Sequence, residues 1–153
     1  MAPKVNQMLD EDPFLEFACS NVVEADARHA VALQRPAPEL DNHAGVRHAG
    51  ALFTVGYAAS QALVAAALES KAGSAKAQMV ESEIAYEKVV AGQLVTATAE
   101  PSGDDWEFLL ARISDGEAVQ LPTSVTLRNE EGKTVTAMTV CWQVTPSGGD
   151  GSR

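Results

Sequence analysis

The chain is short of positive charge: 11 Lys and Arg stand against 21 Asp and Glu, a formal net charge of −10. That deficit argues against nucleic acid or an anionic membrane as the main partner, since both attract cations. The acidic surplus serves solubility. Cysteine is scarce too. Cys19 and Cys141 are the only two, and they form neither a metal pattern nor a disulfide framework. Cys141 lies in an apolar, strand-like run, which predicts a buried thiol. The start, Met1-Ala2-Pro3-Lys4 and then Asp10-Glu11-Asp12, lacks the apolar core of a signal peptide, so a cytoplasmic location is expected. There is no Gly-rich phosphate loop, no nucleophile-elbow serine and no internal repeat. The three histidines are scattered with no acidic partner at ligand spacing. Neither a metal nor any other cofactor is expected.

What is present is ordinary globular material: 153 residues, 46% apolar and 21% charged. That is one domain, long enough to bury a core. Residues 49–68 form a run of 20 positions without a charge, close to the ~20 residues of a membrane span. The run is rich in Ala, contains Thr54, Ser60, Gln61 and two glycines, and lacks a Lys/Arg bias at its flanks. A helix that is apolar on nearly all sides yet only moderately hydrophobic reads better as wrapped by protein.

Residues 1–9 are expected to be flexible. Asp10-Glu11-Asp12-Pro13 reads as a helix start, with acids at the positive end of the dipole and Pro in the first turn. Phe14, Leu15, Phe17 and Ala18 would be its apolar face. Residues 21–34 alternate and read as one strand; Pro36 and Pro38 end it and open a loop that reaches His48. The wrapped helix covers 51–68, with Gly73 as a C-terminal cap. Period-two segments follow at 77–90, 93–99, 106–113, 119–128 and 133–144, with Asp115-Gly116 as a hairpin turn. The domain is placed at 10–145, and 146–153 is expected to be a disordered tail. The order predicts an α+β fold: a curved antiparallel sheet wrapped around a long central helix.

Chemistry is concentrated at Asn42-His43-Ala44-Gly45-Val46-Arg47-His48-Ala49-Gly50. This polar loop runs straight into the uncharged helix. A helix start exposes N–H groups that lack intrahelical partners, at the positive end of the dipole. Ala49, Gly50 and Ala51 are small, so a ligand oxygen can approach. Such a join suits a carbonyl becoming an oxyanion, with His48 and Asn42 polarising it or positioning water. A plain turn at Asn42 and Gly45, with His48 capping the helix, fits the same residues.

The spacing Asn, five residues, His, small-Gly and then a bulky apolar helix resembles the active-site loop and central helix of hotdog-fold acyl-thioesterases of the phenylacetate-pathway type. The wording Asn-His-x-Gly-x-x-His-Ala-Gly-Ala-x-Phe resembles still more another branch of the same superfamily. The resemblance covers about 14–144. It implies a hotdog fold and thioester hydrolysis, on acyl-CoA or a carrier-protein thioester. Asn42 and the N–H of Ala49 or Gly50 would bind the thioester carbonyl. Ser74 falls near a water-orienting Ser/Thr of some relatives. The family's helix acid, nine residues after the His, is here Tyr57. With a reference pKa of about 10, a tyrosine is a poor base at neutral pH, so the resemblance implies weak or divergent hydrolysis. Nine helical residues span about 13.5 Å. His48 and Tyr57 of one chain therefore cannot meet, and a homodimer, or a tetramer built from it, is implied.

Three functions remain open on these residues: a thioesterase; a hotdog dehydratase, isomerase or cyclase in which Tyr57 and His48 exchange protons; and a non-catalytic acyl-thioester binder. Ser60 and Gln61 are placed either against an acyl group or in a helix contact across the dimer. Arg47, Lys71 and Lys76 are placed either on coenzyme A phosphates or among ordinary surface charges. His29 reads as a surface or satisfied histidine, and His43 as a weaker site candidate.

Overall fold

The structure, a computed structural model, describes residues 12–71, 75–103 and 105–147. Gly73 and Ser74, the first nine residues and most of the tail lie outside the described residues. Helix α1 (Pro13–Phe17) starts where expected. The Asp12 carboxylate accepts from the N–H groups of Phe14 at 3.0 Å and Leu15 at 3.3 Å, and Pro13 opens the first turn. Its apolar face is only half used: Leu15 and Ala18 are buried, whereas Phe14 and Phe17 stay 60% and 62% exposed.

The single strand expected over 21–34 is instead a hairpin, β1 (Ser20–Ala25) paired antiparallel with β2 (Ala30–Gln34). Asp26 makes the reversal. Its Oδ1 accepts from the N–H groups of Arg28 at 2.7 Å and His29 at 2.9 Å, a local turn that outcompetes the ladder. A 3₁₀ turn at 38–40 follows, then the polar loop, then α2 (Ala49–Lys71).

Strands β3 (Ala75–Tyr86), β4 (Val95–Pro101), β5 (Val119–Arg128) and β6 (Thr134–Pro146) complete one antiparallel sheet in the order β1-β2-β4-β5-β6-β3. The strand expected at 106–113 is a helix, α3 (Trp106–Ser114). Trp106, Leu110 and Ile113 are its buried residues, spaced by four and three, which is a helical stripe. Asp105 caps it by accepting from the Phe108 N–H at 3.2 Å. Asp115-Gly116, expected as a hairpin turn, is the helix exit; Gly116 has φ +92°, the left-handed conformation that ends helices.

α2 packs against β1, β2, β4 and β5. This is the hotdog fold, a curved antiparallel sheet around a long central helix. By length and composition α2 from Ala49 to Ser70 is sufficient to cross a membrane, but 78% of its 18-residue apolar window is buried inside the protein. Ala58, Ala62 and Leu63 have no exposure at all. Gly56 lets α2 approach β6, since a Cβ there would collide with Met138 Sδ. The wrapping leaves one stripe open: Phe53, Tyr57, Gln61 and Ala65, every fourth residue, are only half-buried.

Candidate active site

The loop before α2 is a compact turn built by its own side chains. Asn42 Oδ1 accepts from the N–H groups of Ala44 at 2.9 Å and Val46 at 3.3 Å. The Asn42 backbone donates to Val46 O at 2.8 Å and accepts from the Gly45 N–H at 3.0 Å. Gly45 sits at φ +77°, where a side chain would be strained. Asn42 thus spends its oxygen on the loop. Its Nδ2 has no partner among the described residues and remains a donor.

His48 does cap the helix. Its Nδ1 accepts from the Gly50 N–H at 2.8 Å, and its carbonyl accepts from the N–H groups of Ala51 at 3.0 Å and Leu52 at 3.2 Å. This corrects the expectation for Gly50, whose N–H is already committed to an imidazole. Among the described residues the Ala49 N–H keeps no partner, and Ala49 is exposed. Accepting at Nδ1 also fixes the neutral ring's proton on Nε2, which leaves that nitrogen a donor.

A buried polar network holds this join in place. Gln34, fully buried at the end of β2, donates to Ala51 O at 2.7 Å and to Ser20 Oγ at 3.2 Å. It accepts from Arg47 Nη1 at 2.8 Å, and Arg47 Nη2 donates to Gln93 O. Arg47 is 4% exposed, so it belongs to the core of the loop; both sequence readings of it, a coenzyme A contact and a surface charge, are corrected. Desolvation lowers its pKa, opposed by the charge of Asp41. Its Nε has no partner. Sequence reasoning missed Gln34. The available signal was a polar residue at an inward position of β2, where Ala30, Ala32 and Gln34 are all buried.

Tyr57 lies on the open stripe of α2. Its ring is 5.5 Å from that of Trp142 and 6.5 Å from that of Phe53, and its hydroxyl accepts from Gln61 Nε2 at 3.4 Å. Burial pushes the phenol above its ordinary pKa of 10, with the charge of Asp12 adding to the effect. Ser60, expected against substrate, has no exposure. Its Oγ accepts from the Trp142 indole N–H at 2.7 Å and bonds Thr123 Oγ1 at 2.7 Å, and the Thr123 hydroxyl donates to Val140 O at 2.9 Å. A hydroxyl in that chain ties the helix to the sheet and faces no open pocket.

Beside the helix start lies a cavity of about 250 Å³ whose walls include Phe14, Phe17, Glu39, His48, Gly50 and Thr54. The structure therefore brings His48 and Gly50 together with α1, and with neither Asn42 nor Tyr57 of the same chain. His43 is exposed on the loop and is not part of that wall. His29 is a surface residue, 2.5 Å from Glu24 and 3.6 Å from Asp26, and the Glu24 hydrogen bond raises its pKa. Cys141, expected buried, is partly exposed on the outer face of β6; its thiol donates weakly to Gln120 Oε1 at 3.6 Å. Lys76 is exposed.

The sequence model of a family described as "Domain of unknown function (DUF4442)" matches residues 7–144. No curated protein matches the chain in sequence. Solved structures share its fold at low identity. A candidate esterase from Mycobacterium tuberculosis is 21% identical, with a TM-score of 0.74 over 88% of this chain and 98% of that one. A hypothetical thioesterase from Streptococcus pneumoniae, solved with coenzyme A, is 18% identical, with a TM-score of 0.67 over 88% of this chain and 96% of its own. The PaaI protein of the Escherichia coli phenylacetic acid degradation operon is 17% identical, with a TM-score of 0.68 over 90% of this chain and 87% of its own.

Proposed function

We propose that this chain, which belongs to the DUF4442 family, is a hotdog acyl-thioester hydrolase acting on an acyl-CoA or acyl-carrier-protein thioester. The observation that carries this reading is the unspent Ala49 N–H at the helix start; Asn42 Nδ2, also unspent, lies on the loop that leads into it. A free N–H at a helix N-terminus suits an oxygen that gains charge as water attacks the carbonyl, and a loop amide donor can join it. The coenzyme A held by the Streptococcus pneumoniae neighbour supports the substrate class. Tyr57 stands where the resemblance to hotdog acyl-thioesterases implies a helix acid. As a phenol with a raised pKa it stays protonated at neutral pH and is no base for water.

The site is proposed to lie between two copies of the chain. Strand β3 closes one end of the sheet; nine of its 12 residues are exposed and none is buried. A long unpaired edge is a template for a second strand. The half-open stripe around Tyr57 would then face the loop of the partner subunit. Sedimentation at micromolar concentration should show a dimer; a strict monomer removes this arrangement.

The function is tested by thiol release from a panel of acyl-CoA esters. Wild type is expected to release free thiol, and Tyr57→Phe to leave that rate unchanged. A second reading is favoured by the protonated, Gln61-held hydroxyl: Tyr57 as proton donor in a non-hydrolytic reaction on a thioester. It predicts a product of altered structure, formed without thiol release and lost in Tyr57→Phe.

A further inference from the structure

With Tyr57 unable to take a proton from water, a hydrolytic site at this join needs a base from elsewhere. The cavity beside His48 contains one carboxylate, Glu39. Its position is fixed by the backbone around it. Glu39 sits in the 3₁₀ turn of residues 38–40, held by the buried side chain of Leu40. The carbonyl of Leu40 accepts from the His48 N–H at 2.8 Å, and Asp41 pairs with Arg47 as an antiparallel bridge. The segments carrying Glu39 and His48 therefore run side by side.

Several other acids are committed elsewhere, and none of the remaining free carboxylates lines this cavity. Asp12 and Asp105 cap helices, Asp26 makes the β1–β2 turn, Glu24 binds His29, and Glu117 binds Arg112 at 2.8 Å. Glu39 has no hydrogen bond or ion pair among the described residues. Phe14 and Phe17 line the same cavity, with their side chains largely exposed. Two exposed aromatics walling a cavity that holds a free carboxylate and an imidazole N–H donor suit an acyl group with its carbonyl at the polar end.

We propose that Glu39 is the general base of this site and that Phe14 and Phe17 cover the acyl chain. The proposal rests on the thioester-hydrolase reading above. Water attacks the thioester carbon and forms the C–O bond, while its proton passes to the Glu39 carboxylate. The tetrahedral oxyanion collapses and breaks the C–S bond. The departing thiolate takes the proton back from Glu39. A carboxylic acid and a free thiol leave, and the carboxylate is restored.

The test uses the full chain, the acyl-CoA ester that wild type cleaves fastest, and the matching thioether analogue, which cannot be cleaved. Glu39→Gln keeps the shape and removes the base. It should lower kcat by about 10²–10⁴-fold, with affinity for the thioether and the melting temperature unchanged. Glu39→Asp should restore part of the rate. Phe14→Ala with Phe17→Ala should instead weaken thioether binding. If wild type releases thiol and Glu39→Gln does so equally fast, the Glu39 assignment falls and the hydrolase reading stands. If Glu39→Gln loses rate only together with thioether affinity or melting temperature, its role is structural and the assignment also falls. If wild type releases no thiol from any ester, both fall.

Discussion

Replacing Asn42 with Asp is expected to cost roughly 10²–10³-fold in kcat, or about 2.7–4 kcal/mol of transition-state stabilisation. Asp is the informative substitution because Asn42 has two separable jobs. Its Oδ1 holds the loop by accepting from Ala44 and Val46, and Asp keeps that oxygen. Its Nδ2 is the proposed donor to the thioester oxyanion, and Asp removes it, placing a negative charge where charge develops. The melting temperature should therefore be retained while turnover falls. Asn42→Ala should lose both the donor and the turn, so its kinetic defect would come with a looser loop. Full turnover in Asn42→Asp would exclude Nδ2 from the oxyanion site, whatever Asn42→Ala does.

Gln34→Leu is expected to be the most damaging of these substitutions for stability, although it nearly conserves volume. Gln34 links β2, the loop and the start of α2 through Ser20, Arg47 and Ala51. Leu would leave Arg47, already desolvated and with an unpaired Nε, without its Gln34 acceptor. It would also strip the Ala51 carbonyl of its side-chain donor. Removing one acceptor from a buried guanidinium that keeps its bond to Gln93 O costs about 1.5–3 kcal/mol, and each uncharged orphan about 1–3. A loss of about 3–5 kcal/mol corresponds to a fall of roughly 6–20 °C in melting temperature for a chain of this size. Thermal denaturation followed by circular dichroism measures it. Retention of the wild-type melting temperature would mean that water replaces the amide and the network is not rigid. Since the Ala51 carbonyl lies at the helix start, thiol release should drop as well.

Much of this could be read along the chain. The uncharged run at 49–68 announced a wrapped helix, because no partial cover suits a surface that is apolar nearly all round. The α1 start followed from Asp12-Pro13. β5 and β6 followed from alternation. The misreadings share one cause: short apolar segments satisfy two periods at once. Trp106, Leu110 and Ile113 are spaced for a helix, yet the alternation around them also passes for a strand, and the cap at Asp105 was the discriminating signal. Asp26 was likewise overlooked as a turn-maker within a run that otherwise alternates.

The site divides in the same way. The residue types at the loop–helix join, and the lack of an acid at position 57, are properties of the sequence alone. So are the length and polarity of α2, since hydrophobic pattern is local and additive. Which donors at the join remain free was decided by tertiary structure: His48 takes the Gly50 N–H, and Asn42 turns its oxygen inward. Arg47, Gln34 and Ser60 look like candidate ligands by type, but packing commits them to internal bonds, because a buried polar group must find a partner wherever the fold puts it. Glu39 and Phe14 lie 25 positions apart in sequence, and only the packing of α1 against the start of α2 makes them walls of one cavity.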